Sequence, residues 1–173
     1  MNILERSLAL KPGKTLADLL LLGDARLYEK CDPVTDADLP LLPQIAADLR
    51  QVMDEVRARY HFGRGIAAPQ LGYMKRVIYL DADRPRLLVN PEFTGRSAEM
   101  FELWDDCMCF PHLLVRVRRH RRITVEYTDE NLKKQSWTVE DALSELVQHE
   151  YDHLEGVLCT MRAVDGKGFR WRN

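Results

Sequence analysis

Gln148-His149-Glu150-Tyr151-Asp152-His153 contains the pattern H-E-x-x-H. Residues four apart share one face of a helix, so His149 and His153 can direct both imidazoles at one ion. Glu150 is rotated about 100° from His149, close enough to reach a water on that ion without being a ligand. The chemistry needs this division of labour. Two neutral imidazoles fix the ion, the ion lowers the pKa of its water toward ~7, and the carboxylate carries the proton to a leaving amine. The alternative is a helix with two surface histidines.

Two imidazoles do not complete a catalytic site, which usually has three protein ligands and an open position. Only residues 154–173 follow His153, and they offer Cys159 and Asp165 but no histidine. Cys107, upstream in Asp105-Asp106-Cys107-Met108-Cys109-Phe110-Pro111, is the better candidate. The other reading of Cys107 is a small buried core residue.

The element that must present H-E-x-x-H is the clearest in the chain. Thr138 is a good N-cap, Glu140 and Asp141 suit the positive end of a helix, and Gly156 stands where a left-handed C-terminal cap belongs. Leu143, Leu146, Val147 and Leu154 supply an apolar face. Upstream, Ile45, Leu49, Val52, Met53 and Val56 recur at helical spacing, predicting an amphipathic helix over Gln44–Tyr60 that ends at His61–Gly65. Between the helices, Arg76–Leu80, Arg86–Val89 before Asn90-Pro91, Val115–Val117 and Ile123–Tyr127 read as strands. Thr128–Asn131 is a turn across which Gln135–Thr138 can pair back. Helix, antiparallel strands, helix is an α+β order. Residues 1–14 show no clean period and read as a loose arm, and 164–173 as a short tail, on one metallohydrolase domain spanning 1–173.

Composition sets outer bounds. Hydrophobic residues at 46 % and charged residues at 30 % are an ordinary globular balance, and 173 residues suit one domain. A formal net charge of -2 argues against binding nucleic acid through bulk electrostatics. The basic run Arg116, Arg118, Arg119, Arg121 and Arg122 alternates with Val115, Val117 and Ile123, the pattern of a solvated strand face. No segment approaches the ~20 apolar residues of a membrane span, and no signal peptide is evident. The four cysteines then read as reduced thiols of a cytoplasmic protein.

Taken together, the motifs resemble the peptide deformylase family. Gly63-Arg64-Gly65-Ile66-Ala67-Ala68-Pro69-Gln70 matches G-x-G-x-A-A-P-Q. Asp105–Cys109 (D-D-C-M-C) stands against E-G-C-L-S, and Gln148–Gly156 matches Q-H-E-x-D-H-L-x-G in full. Lys75–Ile78, Val89–Pro91 and Ile123–Asn131 also read like the family, so the likeness covers roughly residues 19–163.

The resemblance implies antiparallel sheets packed around a central C-terminal helix that carries H-E-x-x-H. It implies that Cys107, His149 and His153 ligate one divalent ion, typically Fe(II), with Zn(II), Ni(II) or Co(II) able to substitute. Glu150 would act as general base and then general acid, while Gln70 and the backbone N–H of Met108 would stabilise the oxyanion. Gly63 and Gly65 would let the loop approach the substrate backbone, with Arg64 and Asp106 beside it. The reaction implied is release of formate from N-formylmethionyl peptides of nascent proteins, in association with the ribosome. A polar N-formyl substrate of a specialised pathway is the alternative. A zinc endopeptidase would need a downstream ligand, and a non-catalytic metal binder would have no use for Glu150.

Departures from the family pattern cluster in the second motif. Asp105 replaces Glu with a carboxylate one methylene shorter, which predicts a longer or water-bridged contact to the metal site. Asp106 replaces Gly, Met108 replaces Leu while keeping its N–H, and Cys109 replaces Ser. Arg64 stands where the family has a small or apolar residue, near the pocket for the substrate's first side chain. Arg64, Asp106 and Glu145, one turn before His149, would make that pocket polar; solvated positions are the other reading.

Overall fold

A computed structural model describes residues 1–172. Helix α1 (Ile3–Leu8) and helix α2 (Leu42–Tyr60) precede the strands β1 (Gly65–Ala67), β2 (Val77–Asp81), β3 (Pro85–Arg96), β4 (Met100–Asp106), β5 (Leu113–His120), β6 (Arg122–Thr128) and β7 (Lys134–Glu140). Helix α3 (Asp141–Leu154) and strand β8 (Phe169–Trp171) follow. All strand pairs are antiparallel, in a five-stranded sheet ordered β1-β2-β3-β6-β7 and a three-stranded sheet ordered β4-β5-β8.

The five-stranded sheet is covered on both faces. Successive side chains of a strand point to opposite sides, and β2 shows the consequence. Val77 and Tyr79 pack with Leu49, Val52, Met53 and Val56 of α2, whereas Ile78 and Leu80 pack with Leu146, Val147 and Leu154 of α3. α3 therefore has the large sheet on one side. On the other, Val115 and Val117 of β5 form a third cluster with Cys107, Cys109 and Cys159. The α+β expectation and the central helix both hold.

Several boundaries differ from the sequence expectation, each for a local reason. The expected loose arm carries α1, closed by a reciprocal Asn2–Glu5 capping box at 2.8 Å. Ile3 and Ser7 are buried, and Ile3 N–H donates to the Glu130 carbonyl at 2.9 Å. A helix of six residues is too short to display a period. The expected tail contains β8, which pairs with β5 in the register Leu113↔Trp171. β3 continues through Asn90-Pro91, where the register shifts between Val89 and Glu92. Asn90 has φ 51° and clasps Val34 with both amide atoms at 2.8 and 2.9 Å, so the dipeptide marks a bulge. Thr138 lies in β7 with its hydroxyl 2.9 Å from that of Thr124, and α3 begins at Asp141. Gly156 does adopt the left-handed conformation expected of it, at φ 70°.

Candidate active site

Three segments converge on one face of α3. The first follows α2, which ends as His61 turns left-handed at φ 62°. Gly63 has φ 126°, a region that L side chains rarely adopt, and a Cβ there would meet Met108 Cε at 2.8 Å. Gly65 opens β1, where a Cβ would stand 2.9 Å from Glu150 Oε1. Both glycines thus give room to site side chains. The chain then turns through residues 68–71, and the Ala67 N–H donates to Gln70 Oε1 at 2.8 Å. That bond aims the Gln70 amide Nε2 at Cys109 Sγ (3.4 Å) and Cys107 Sγ (3.9 Å).

The second segment is the end of β4, which the sequence reading did not mark as a strand. Pairing with β5 from Met100↔His120 to Asp106↔Leu114 delivers Asp105 and, just beyond the strand, Cys107. The third segment is α3 itself. His149 and His153 project from one face with ring centroids 5.0 Å apart, and Cys107 Sγ lies 3.4 Å from His153 Nε2. Donor atoms of Cys107, His149 and His153 all lie within 4.8 Å of one another, and all three residues are buried.

Asp105 meets its partner directly: Oδ1 lies 2.9 Å from His149 Nδ1, so the shorter side chain needs no bridging water. This corrects the expectation of a lengthened contact. Its other oxygen accepts from Arg119 at 2.9 Å, and Arg119 also donates to Asp152 at 2.5 Å. Burial raises Asp105, but His149 and Arg119 outweigh it and hold the carboxyl at about 2. Arg119 was expected on a solvated face and is buried. A sequence signal existed, since Val115, Val117 and Arg119 alternate onto one inward side of β5. Asp105, His149 and Cys159 also lie within 4.8 Å of one another. The Asp105 oxygens are already bonded to His149 and Arg119, so that grouping is the support of His149.

Gln148 is a second support that the motif contained and the sequence reading left without a role. Its Oε1 accepts from the His120 N–H at 3.0 Å and its Nε2 donates to the His120 carbonyl at 2.8 Å, which locks α3 to β5.

These residues fit a divalent cation. A thiol and two imidazoles form a soft, buried donor set. Burial, then His149, keeps His153 neutral, the form that ligates. Burial disfavours charge on His149, yet Asp105 overrides it and raises the ring to about 10, so the local field favours positive charge there. Burial pushes Glu150 up to about 7, and its Oε2 has no hydrogen-bond partner among the described residues. Such a carboxyl can take and return a proton near neutrality.

Cys107, His149, Glu150, Gln70 and Met108 line one cavity of about 620 Å³ together with Gly63, Gly65, Arg64, Asp106 and Glu145. Arg64 and Glu145 form an ion pair there, and Asp106 accepts from Arg172 at 2.5 Å.

The family model for polypeptide deformylase matches residues 16–168. The chain belongs to the peptide deformylase family. Its activity is therefore that of the family, a hydrolase acting on an N-formyl amide, and the family is metal-dependent. The peptide deformylase of Treponema pallidum is 36 % identical over 151 residues, covering 87 % of this chain and 89 % of that protein. The peptide deformylase of Synechococcus elongatus, solved with actinonin, is 31 % identical with a TM-score of 0.80, covering 90 % of this chain and 81 % of that one. A peptide deformylase of Acinetobacter baumannii, solved with Met-Ala-Ser bound, is 28 % identical with a TM-score of 0.76, covering 83 % and 96 %.

Proposed function

We propose that Cys107, His149 and His153 hold one divalent ion, Fe(II) in the resident form, and that this single domain removes the formyl group from N-formylmethionyl peptides of nascent proteins. The observation that carries this reading is Glu150: a buried carboxyl with a free oxygen, beside a thiol and two imidazoles whose donor atoms lie within 4.8 Å of one another. The ion, when bound, supplies Lewis acidity and makes water nucleophilic at neutral pH. Zn(II), Ni(II) or Co(II) would satisfy the same donors.

The chain's own residues do the rest. Glu150 takes the proton of the attacking water and returns it to the leaving amine. The Gln70 amide, oriented by the Ala67 N–H, and the backbone N–H of Met108 donate to the oxygen that gains charge. Gly63 and Gly65 make room for Met108 and the Glu150 carboxyl, and lacking side chains of their own they let the loop run close to a bound peptide backbone. Asp105 engages His149 through Nδ1, which leaves Nε2 as the nitrogen that would ligate the ion.

No helix among the described residues is long and apolar enough to cross a membrane. A cytoplasmic site of action beside the ribosome follows from the proposed substrate.

The test is formate release from formyl-Met-Ala by anaerobically prepared, Fe(II)-loaded protein, with metal content measured in parallel. Glu150→Gln should keep one metal per chain while kcat falls by about 10²–10⁴. Full activity in that variant, or no formate from the wild type at full metal occupancy, would overturn the reading.

A further inference from the structure

Arg64 and Glu145 form their ion pair on the wall of the cavity that contains Glu150. The first side chain of a formyl peptide branches one bond from the amine that Glu150 serves, so its tip falls within roughly 7 Å, two residue rises. Both members of the pair line the same cavity as Glu150. Glu145 precedes His149 by one helical turn and shares its face. Arg64 adjoins Gly65, where a Cβ would stand 2.9 Å from Glu150 Oε1. Leu146, also on the wall, is buried and apolar.

The pair is only partly saturated. Arg64 donates to the Ala142 carbonyl at 3.3 Å and to Glu145 Oε1, leaving the rest of its five N–H donors. Glu145 keeps its second oxygen. Its side chain is 9 % exposed and that of Arg64 45 %, so a bound side chain would desolvate chiefly the outer half of the pair. The paired charges cancel, so a carboxylate or ammonium tip gains no net attraction from the pair to offset its own desolvation. An alkyl or thioether tip removes water from the pair without replacing its hydrogen bonds, a cost offset by its own apolar burial against Leu146. A carboxamide can accept from Arg64 and donate to Glu145 while its methylenes lie on Leu146.

On the basis of the deformylase reading, we propose that the Arg64–Glu145 pair is the specificity-determining wall for the first side chain. It admits formyl peptides whose first side chain ends in a carboxamide at about methionine length, alongside the thioether itself.

The experiment compares kcat/KM for formyl-Gln-Ala, formyl-Met-Ala, formyl-Glu-Ala and formyl-Lys-Ala on the metal-loaded wild type and on the double variant Arg64→Leu/Glu145→Leu. The wild type should turn over the Gln and Met peptides within about threefold of each other and both charged peptides at least tenfold more slowly. In the double variant the Gln-to-Met ratio should fall tenfold or more. The wild-type half of the test stands even if the double variant does not fold. A wild-type Gln-to-Met ratio below about one in a hundred, or a ratio that the double substitution leaves unchanged, overturns this inference and leaves deformylation standing. No formate from any of the four peptides at full metal occupancy overturns both.

Discussion

Asp105 Oδ1 and His149 Nδ1 are joined by a 2.9 Å hydrogen bond across the junction of β4 and α3. One oxygen of the same carboxylate holds the ring of His149, a proposed ligand, and the other holds Arg119, so the orientation of His149 is tied to the packing of both sheets. Asp105→Asn keeps the size of the side chain and removes its charge. Metal affinity should fall by about 10–100-fold, as loss of such an outer partner typically costs. Competition with a chelator of known affinity measures it; a change under threefold would show that Asp105 has no bearing on the ion.

Arg119 is 2 % exposed and bridges Asp105 and Asp152, while Arg162 also reaches Asp152 at 2.5 and 2.6 Å. Arg119→Met fills similar space but leaves two buried carboxylates short of a cation. Breaking a buried pair from one side costs about 3–5 kcal/mol. Urea unfolding of metal-free protein should show a loss of that size, with Arg162→Met much milder because its side chain is 46 % exposed.

Gly65 faces Glu150 so closely that a Cβ would lie 2.9 Å from Oε1 and 2.8 Å from Leu80 Cδ2. Gly65→Ala should therefore displace the Glu150 carboxyl rather than the proposed ligands Cys107, His149 and His153. A misplacement of about 1 Å costs on the order of 10²-fold in rate. Expected is a fall in kcat of that order at unchanged metal stoichiometry. A fall in metal content instead would place the damage elsewhere.

Cys31 is buried, and burial pushes its thiol from 9.0 up to about 12. Its folded pKa exceeds the unfolded one, so its contribution is fully present below pH ~8.5 and is lost as pH rises toward 12. Between pH 9 and 10.5 this thiol should lower stability by up to about 1.4 kcal/mol per pH unit. Denaturant melts of metal-free wild type and Cys31→Ala across that range should diverge in slope, the variant being flatter. Parallel slopes would remove Cys31 as the cause.

Much of this molecule is written in local patterns. The 3.6-residue period of α2 and the C-terminal cap of α3 are short-range properties, and so is the placement of His149, Glu150 and His153 on one helical face. Gly156 turned left-handed as its position in the motif implied. These features require only neighbours within a few residues. What the tertiary structure decided depends on residues far apart in the chain. Asp105 reaches His149 without a bridging water because β4, seated by its register on β5, compensates for the missing methylene. Arg119 turned from an apparent surface cation into a buried bridge because two carboxylates, 14 and 33 positions away, converge on it. Arg64 and Glu145, 81 positions apart, became one polar wall only when β1 was laid against α3. Burial and pairing of charge are set by the whole fold, and no local period encodes them.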